Sequence, residues 1–161
     1  YDANILPSNC FDEVPEGMEA IDGGLVEKTY MTLQHANTQL ALGSEWRAYS
    51  RTSKQGGKTY TEALCQTQEQ KRRPDVSYVT EELHQTHGQP STFPQSMPLI
   101  GEITSPDDSA EMLFEKAYEY LGSGAEEVWI LRPESKVGFI VLAERVLAFS
   151  GAQEIGLRGK I

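Results

Sequence analysis

The chain has 161 residues and 17.9 kDa, with 24 acidic against 14 basic residues, a net charge of −10 and a pI near 4.7. That balance weighs against tight binding of nucleic acid by charge alone, although Lys71, Arg72 and Arg73, and separately Arg47, Arg51, Lys54 and Lys58, form local basic groups whose plainer reading is a solvated face. With 39% hydrophobic residues, a mean hydropathy of −0.46 and no apolar run longer than Phe139 to Ala143, the composition predicts a soluble, cytoplasmic domain with no membrane span and no secretory leader.

In chain order, residues 1–16 hold two prolines and little periodicity, so they are expected to be an irregular lead-in, and residues 17–161 a single domain. The sequence Asp22-Gly23-Gly24 between two short runs predicts a tight hairpin, with strands at about 18–21 and 25–28. Leu33, Ala36, Leu40, Leu42 and Trp46 recur at near-helical spacing, which predicts an amphipathic helix over 32–49 packed on a sheet. His35 on that helix could line a site, cap the helix or face solvent. Gly56 and Gly57 then lead into a predicted strand over 58–67, KTYTEALCQT.

Three pieces carry the candidate chemistry: RRPDVSYV (72–79) as a strand, PLIGEITSP (98–106) as a second strand, and EMLFEKAYEYLGSG (111–124) as a helix. In the second strand Leu99, Gly101 and Ile103 point to one face, and Ile100, Glu102 and Thr104 to the other. Antiparallel pairing of the two strands would make Asp75 and Glu102 neighbours. Adjacent carboxylates repel unless a cation lies between them, and oxygen ligands of this kind suit Mg2+ or Mn2+. Between the strands, residues 81–97 are expected to be a long loop, where His84 and His87 read as solvent-exposed rather than metal-bound.

Pro106 followed by acids marks the start of the helix, whose apolar stripe is Ala110, Leu113, Phe114, Ala117 and Leu121. Lys116 lies at the flank of that stripe, able to snorkel toward the strand ends or to reach water. Strands at 127–133 and 136–143 follow, with a last one near 146–149. The two cysteines, Cys10 and Cys65, have neither zinc nor disulfide-framework spacing and are read as reduced thiols. The ending EIGLRGKI lacks a capping element, so the domain is expected to be incomplete at its C-terminal end.

GMEAIDGGLVEK, RRPDVSYV, GEITSP and the lysine-bearing helix ending in EEVWIL occur in an order that resembles the Uma-two family of predicted cyanobacterial restriction endonucleases. That family is a branch of the PD-(D/E)xK nuclease superfamily, and the resemblance runs from about Gly17 to Leu142. It implies an α/β, restriction-endonuclease-like fold, with a mixed central sheet flanked by helices and an N-terminal β-hairpin. It also implies that Asp75 is the PD aspartate and Glu102 the following acid, both metal ligands. The superfamily's lysine belongs two residues after Glu102, where Thr104 stands; Lys116 on the next helix is its candidate replacement. Glu19 resembles the family's hairpin acid, with Glu27 as the fallback. The implied activity is metal-dependent phosphodiester hydrolysis by an endonuclease, on DNA in preference to RNA, with a homodimer suggested by the superfamily. A catalytically silent nuclease-like scaffold that binds a partner or nucleic acid is the alternative; the ordered Asp, Glu and Lys favour the enzyme.

Overall fold

The computed structural model describes residues 13–28 and 31–151, so most of the lead-in, Cys10 and the C-terminal ending lie outside the described residues. The first hairpin forms as its sequence dictates. Asp22 and Gly23 both take positive φ (48° and 76°), the two-residue turn that matches strand twist, and join β1 (Met18–Ile21) to β2 (Gly24–Glu27). Helix α1 (Leu33–Thr52) begins at Thr32, whose side chain accepts a hydrogen bond from the His35 amide.

Two predicted strands each split in two. The run expected over 58–67 becomes β3 (Lys58–Thr61) and β4 (Cys65–Gln66), broken where Glu62 adopts a φ of 54°. The run expected over 72–79 becomes β5 (Lys71–Arg72) and β6 (Val76–Val79), broken at Pro74, which has no amide to give a ladder and restricts the residue before it. Each half joins a different sheet. The chain therefore turns two facing corners, where the Glu62 amide donates to the Asp75 carbonyl at 3.3 Å.

The segment expected to be a loop opens with a short helix, α2 (Glu81–His87), which has a full set of end signals: Thr80 as cap, Glu81 and Glu82 in the first turn, and Gly88 with φ 66° at its close. His84 and His87 are accordingly half-buried rather than fully solvated. Nε2 of His84 lies 2.8 Å from the Tyr60 hydroxyl, and the His87 ring stands edge-on to Phe93. Strand β7 (Leu99–Ile103) follows, then α3 (Ala110–Leu121), capped by Ser109 rather than started at Pro106. The chain then forms β8 (Glu127–Arg132), β9 (Val137–Val141) and β10 (Val146–Ser150).

The large sheet runs β10-β9-β8-β7-β6-β3, with only β7 and β8 parallel, because α3 crosses over between them; the small sheet runs β2-β1-β5-β4. Strand alternation divides the core. Val76, Tyr78 and Leu99 meet Leu42 and Trp46 of α1 on one face, while Val79, Ile100, Val128 and Ile130 meet Ala117 and Tyr120 of α3 on the other. The buried stripe of α1 is Gln39, Leu42, Gly43, Trp46 and Ser50, so Leu33 and Leu40, expected inside, are 91% and 69% exposed. Gly101 explains that rotation. A Cβ there would lie 2.6 Å from Leu42 and 3.2 Å from Trp46, so its absence lets this helix face settle on β7.

Candidate active site

Asp75 stands at the corner before β6, and Glu102 lies near the end of β7. The antiparallel register Val76 to Gly101 makes the two residues neighbours. Glu102 alternates to the α3 face, where Lys116 and Tyr120, one helical turn apart, both reach its Oε1: the ammonium at 3.1 Å and the hydroxyl as donor at 2.8 Å. Glu19 comes in from β1. Its Oε1 accepts from the Arg73 amide at 2.7 Å and lies 4.0 Å from the Lys116 ammonium. Asp75, Glu102, Lys116 and Glu19 are thus drawn into one place from two sheets and a helix. Glu27 is exposed, and its pairing with Met18 puts it on the opposite hairpin face from Glu19. At the position of the usual lysine, Thr104 is buried, its amide bound to the Leu131 carbonyl.

Three neighbours were not singled out from the sequence. Lys28, just past β2, bonds through Nζ to Asp75 Oδ1 at 2.8 Å, Glu62 Oε2 at 3.0 Å and the Arg73 carbonyl at 2.8 Å. The hairpin register held the signal: Glu19 faces Val26, so the residue two beyond Val26 shares Glu19's side of the ribbon. The second is Glu62 itself, placed by the positive φ at the first corner. The third, Tyr120, was legible as the residue four on from Lys116. His35, left open between three roles, lies against the site, with Nε2 3.3 Å from Asp75 Oδ2.

The basic triplet expected to be solvated is consumed inside the structure. Arg72 pairs with Glu119 at 2.6 Å, Arg73 donates to the carbonyls of Glu62 and Met18, and Lys71 is buried. Arg47, Arg51, Lys54 and Lys58 are exposed, as expected, at the far end of α1 and the start of β3.

The charges are strongly coupled. Burial alone would push the Asp75 carboxyl up, but the His35 hydrogen bond, the Lys28 charge and the Ile103 amide at 2.7 Å together hold it well below the usual range. Glu102 goes the other way: burial and the Asp75 charge raise it, against the lowering pull of Lys116. Lys116, which burial would lower, is raised by Glu102 and Glu19. The two adjacent carboxyls are thus shifted in opposite directions.

The site opens into a cleft of about 1430 Å³, whose walls include Val26, Met31, Ser105 and Met112 as well as the residues above. That exceeds a usual small-molecule pocket of roughly 300–1,000 Å³ and suits an extended ligand. Acidic side chains outnumber basic ones along it, so a polyanion would need added cations to enter. Among the described residues no group of three His, Cys, Asp or Glu side chains is placed to hold a metal ion.

A family profile described as "Putative restriction endonuclease" matches residues 7–144. The chain belongs to the Uma-two family. The Uma-two fold seen here is shared with a crystal structure described as "a putative nuclease belonging to DUF820" from Anabaena variabilis. The TM-score is 0.82 at 17% identity, over 96% of this chain and 89% of that one. No curated protein matches the chain. Membership and shared architecture bear out the restriction-endonuclease-like fold; among the described residues no helix is long and apolar enough to cross a membrane.

Proposed function

We propose that this Uma-two protein is a divalent-metal-dependent endonuclease that hydrolyses DNA phosphodiester bonds in this cleft. The observation that carries the reading is the Lys116 ammonium set 3.1 Å from Glu102 and 4.0 Å from Glu19, with Asp75 lining the same cleft. A set of acids and an amine from separate elements, facing an open cleft, is costly to build for stability alone. The restriction-endonuclease description of the family favours DNA over RNA.

The donor set fits Mg2+ or Mn2+. Both acids are hard oxygen ligands, and Mg2+ keeps several waters and needs only one or two carboxylates, so a closed protein cage is not required. Mutual repulsion of Asp75 and Glu102 also favours a cation between them. When bound, the ion would supply Lewis acidity to the phosphoryl group and acidify water. Asp75 is held ionised and oriented by His35, Lys28 and the Ile103 amide; Glu102, whose pKa is raised by burial, is oriented by Tyr120 and Lys116. Lys116 is the group to orient the attacking water or offset charge on the scissile phosphate. Glu19 either completes the ligand shell or accepts the proton. Cutting both strands of a duplex calls for two clefts, so a homodimer acting in the cytoplasm belongs to the same reading.

The test is cleavage of supercoiled plasmid, single-stranded DNA and RNA with Mg2+, Mn2+ or EDTA, by the wild type, Asp75→Asn, Glu102→Gln and Lys116→Met. We expect DNA nicking that needs the divalent ion and falls by at least about 10²-fold in each variant, the usual scale for a group that stabilises transition-state charge. Wild-type protein inert on every substrate with either ion would leave the silent scaffold; activity that survives Glu102→Gln would put the chemistry elsewhere.

A further inference from the structure

The Lys28 ammonium has three N–H donors, and all three are used, on Asp75 Oδ1, Glu62 Oε2 and the Arg73 carbonyl. Those oxygens come from the two facing corners, Glu62 on one and Arg73 with Asp75 on the other. The cradle is itself braced: Gln39, buried on α1, donates to Glu62 Oε1 at 2.9 Å and to the Asp75 carbonyl at 2.8 Å. Two carboxylates and a carbonyl form a hard-oxygen set of the kind that takes Mg2+ or Mn2+. Asp75 is shared, with Oδ1 turned to Lys28 and Oδ2 to the Ile103 amide at the Glu102 end of β7. Two-metal phosphodiester sites place a carboxylate in that sharing position between two cations.

We propose that Lys28 is the second cation of the site, an ammonium tethered by the chain where a two-metal enzyme would hold its second divalent ion. With its donors saturated it has none left for substrate, so it acts through Asp75 as a positioning residue. It supplies permanent positive charge on one flank of the acid pair, as Lys116 does on the other. The wild-type chain then needs one divalent ion, not two. This rests on the nuclease reading for its purpose, while its evidence is the cradle.

The test counts ions on the full chain by calorimetry with Mn2+, which reads binding independently of turnover. Wild type is expected to bind one Mn2+ and Lys28→Ala one more; Lys28→Arg, which restores a cation, returns to the wild-type count. The added equivalent should vanish in Lys28→Ala with Glu62→Gln, and the original one in Glu102→Gln. If Lys28→Ala does not fold, Lys28→Met, which fills much of the same space without an N–H donor, leaves the same oxygens unpaired and open to the ion. An unchanged count on losing Lys28, or a gain that survives Glu62→Gln, overturns the proposal. A wild type that binds no Mn2+ sinks the metal-dependent nuclease reading alone, because a rise from none to one in Lys28→Ala still supports the tethered cation.

Discussion

Replacing Lys116 by methionine keeps most of the length of the side chain and removes its charge, leaving Glu102 buried with only the Tyr120 hydroxyl on the same oxygen. At 3.1 Å the pair has a gross attraction of about 5 kcal/mol for an effective dielectric of roughly 20. Burying the ammonium offsets part of it, so we expect a net loss of about 2–4 kcal/mol at neutral pH, within reach of the range for breaking a buried pair. The loss depends on pH. Glu102 already has a folded pKa raised above its ordinary 4.5, so its ionised form costs stability once pH exceeds the unfolded value; without Lys116 that pKa rises further and the cost grows. Urea unfolding in EDTA, followed by fluorescence of the buried pair Trp46 and Trp129, measures this at several pH values. The penalty should shrink toward about 1 kcal/mol, a packing change alone, as pH falls below 4.5. Adding Glu102→Gln should recover at least half of the neutral-pH loss, since neutralising both partners removes the stranded charge. A penalty flat with pH, or a double variant no more stable than Lys116→Met, would refute the reasoning.

The His35 imidazole, raised above 6.5 chiefly by its hydrogen bond to Asp75, should titrate above 6.5 in metal-free protein and drop in Asp75→Asn, as followed by NMR. Because its folded pKa is the raised one, its contribution is complete below 6.5 and is lost as pH climbs through the folded value; His35→Gln should flatten that part of the stability curve. The Cys65 thiol, pushed up to about 12 by burial and then by the Glu102 charge, should resist alkylation at mildly alkaline pH until urea unfolds the chain; rapid labelling of Cys65 in folded protein, located by peptide mass mapping, would contradict its placement. Gly101→Ala should cost about 1–3 kcal/mol in urea unfolding, because the added methyl falls 2.6 Å from Leu42; a neutral effect would mean α1 does not seat on β7 as described.

Some of the site could be read before folding was considered. Alternation in LIGEI and the antiparallel pairing of two consecutive strands were enough to bring Asp75 and Glu102 together, and helical spacing put Lys116 within reach of them. Lys28 and Glu62 escaped because each lies where a regular element stops. No periodicity marks a corner, and the positive φ at Glu62 that divides β3 from β4 goes to a non-glycine residue. The basic triplet misled for a related reason: charge counts cannot tell a solvated arginine from one spent on Glu119 or on backbone carbonyls.

Local sequence by itself determined the hairpin turn and which strand residues share a face, since these depend on neighbours a few positions away. Tertiary structure decided which oxygens share a cation, which face of α1 is buried, and how one run of sequence serves two sheets. Those outcomes depend on contacts between segments tens of residues apart, where close packing and the need to pair every buried charge choose among arrangements that local preference leaves equal.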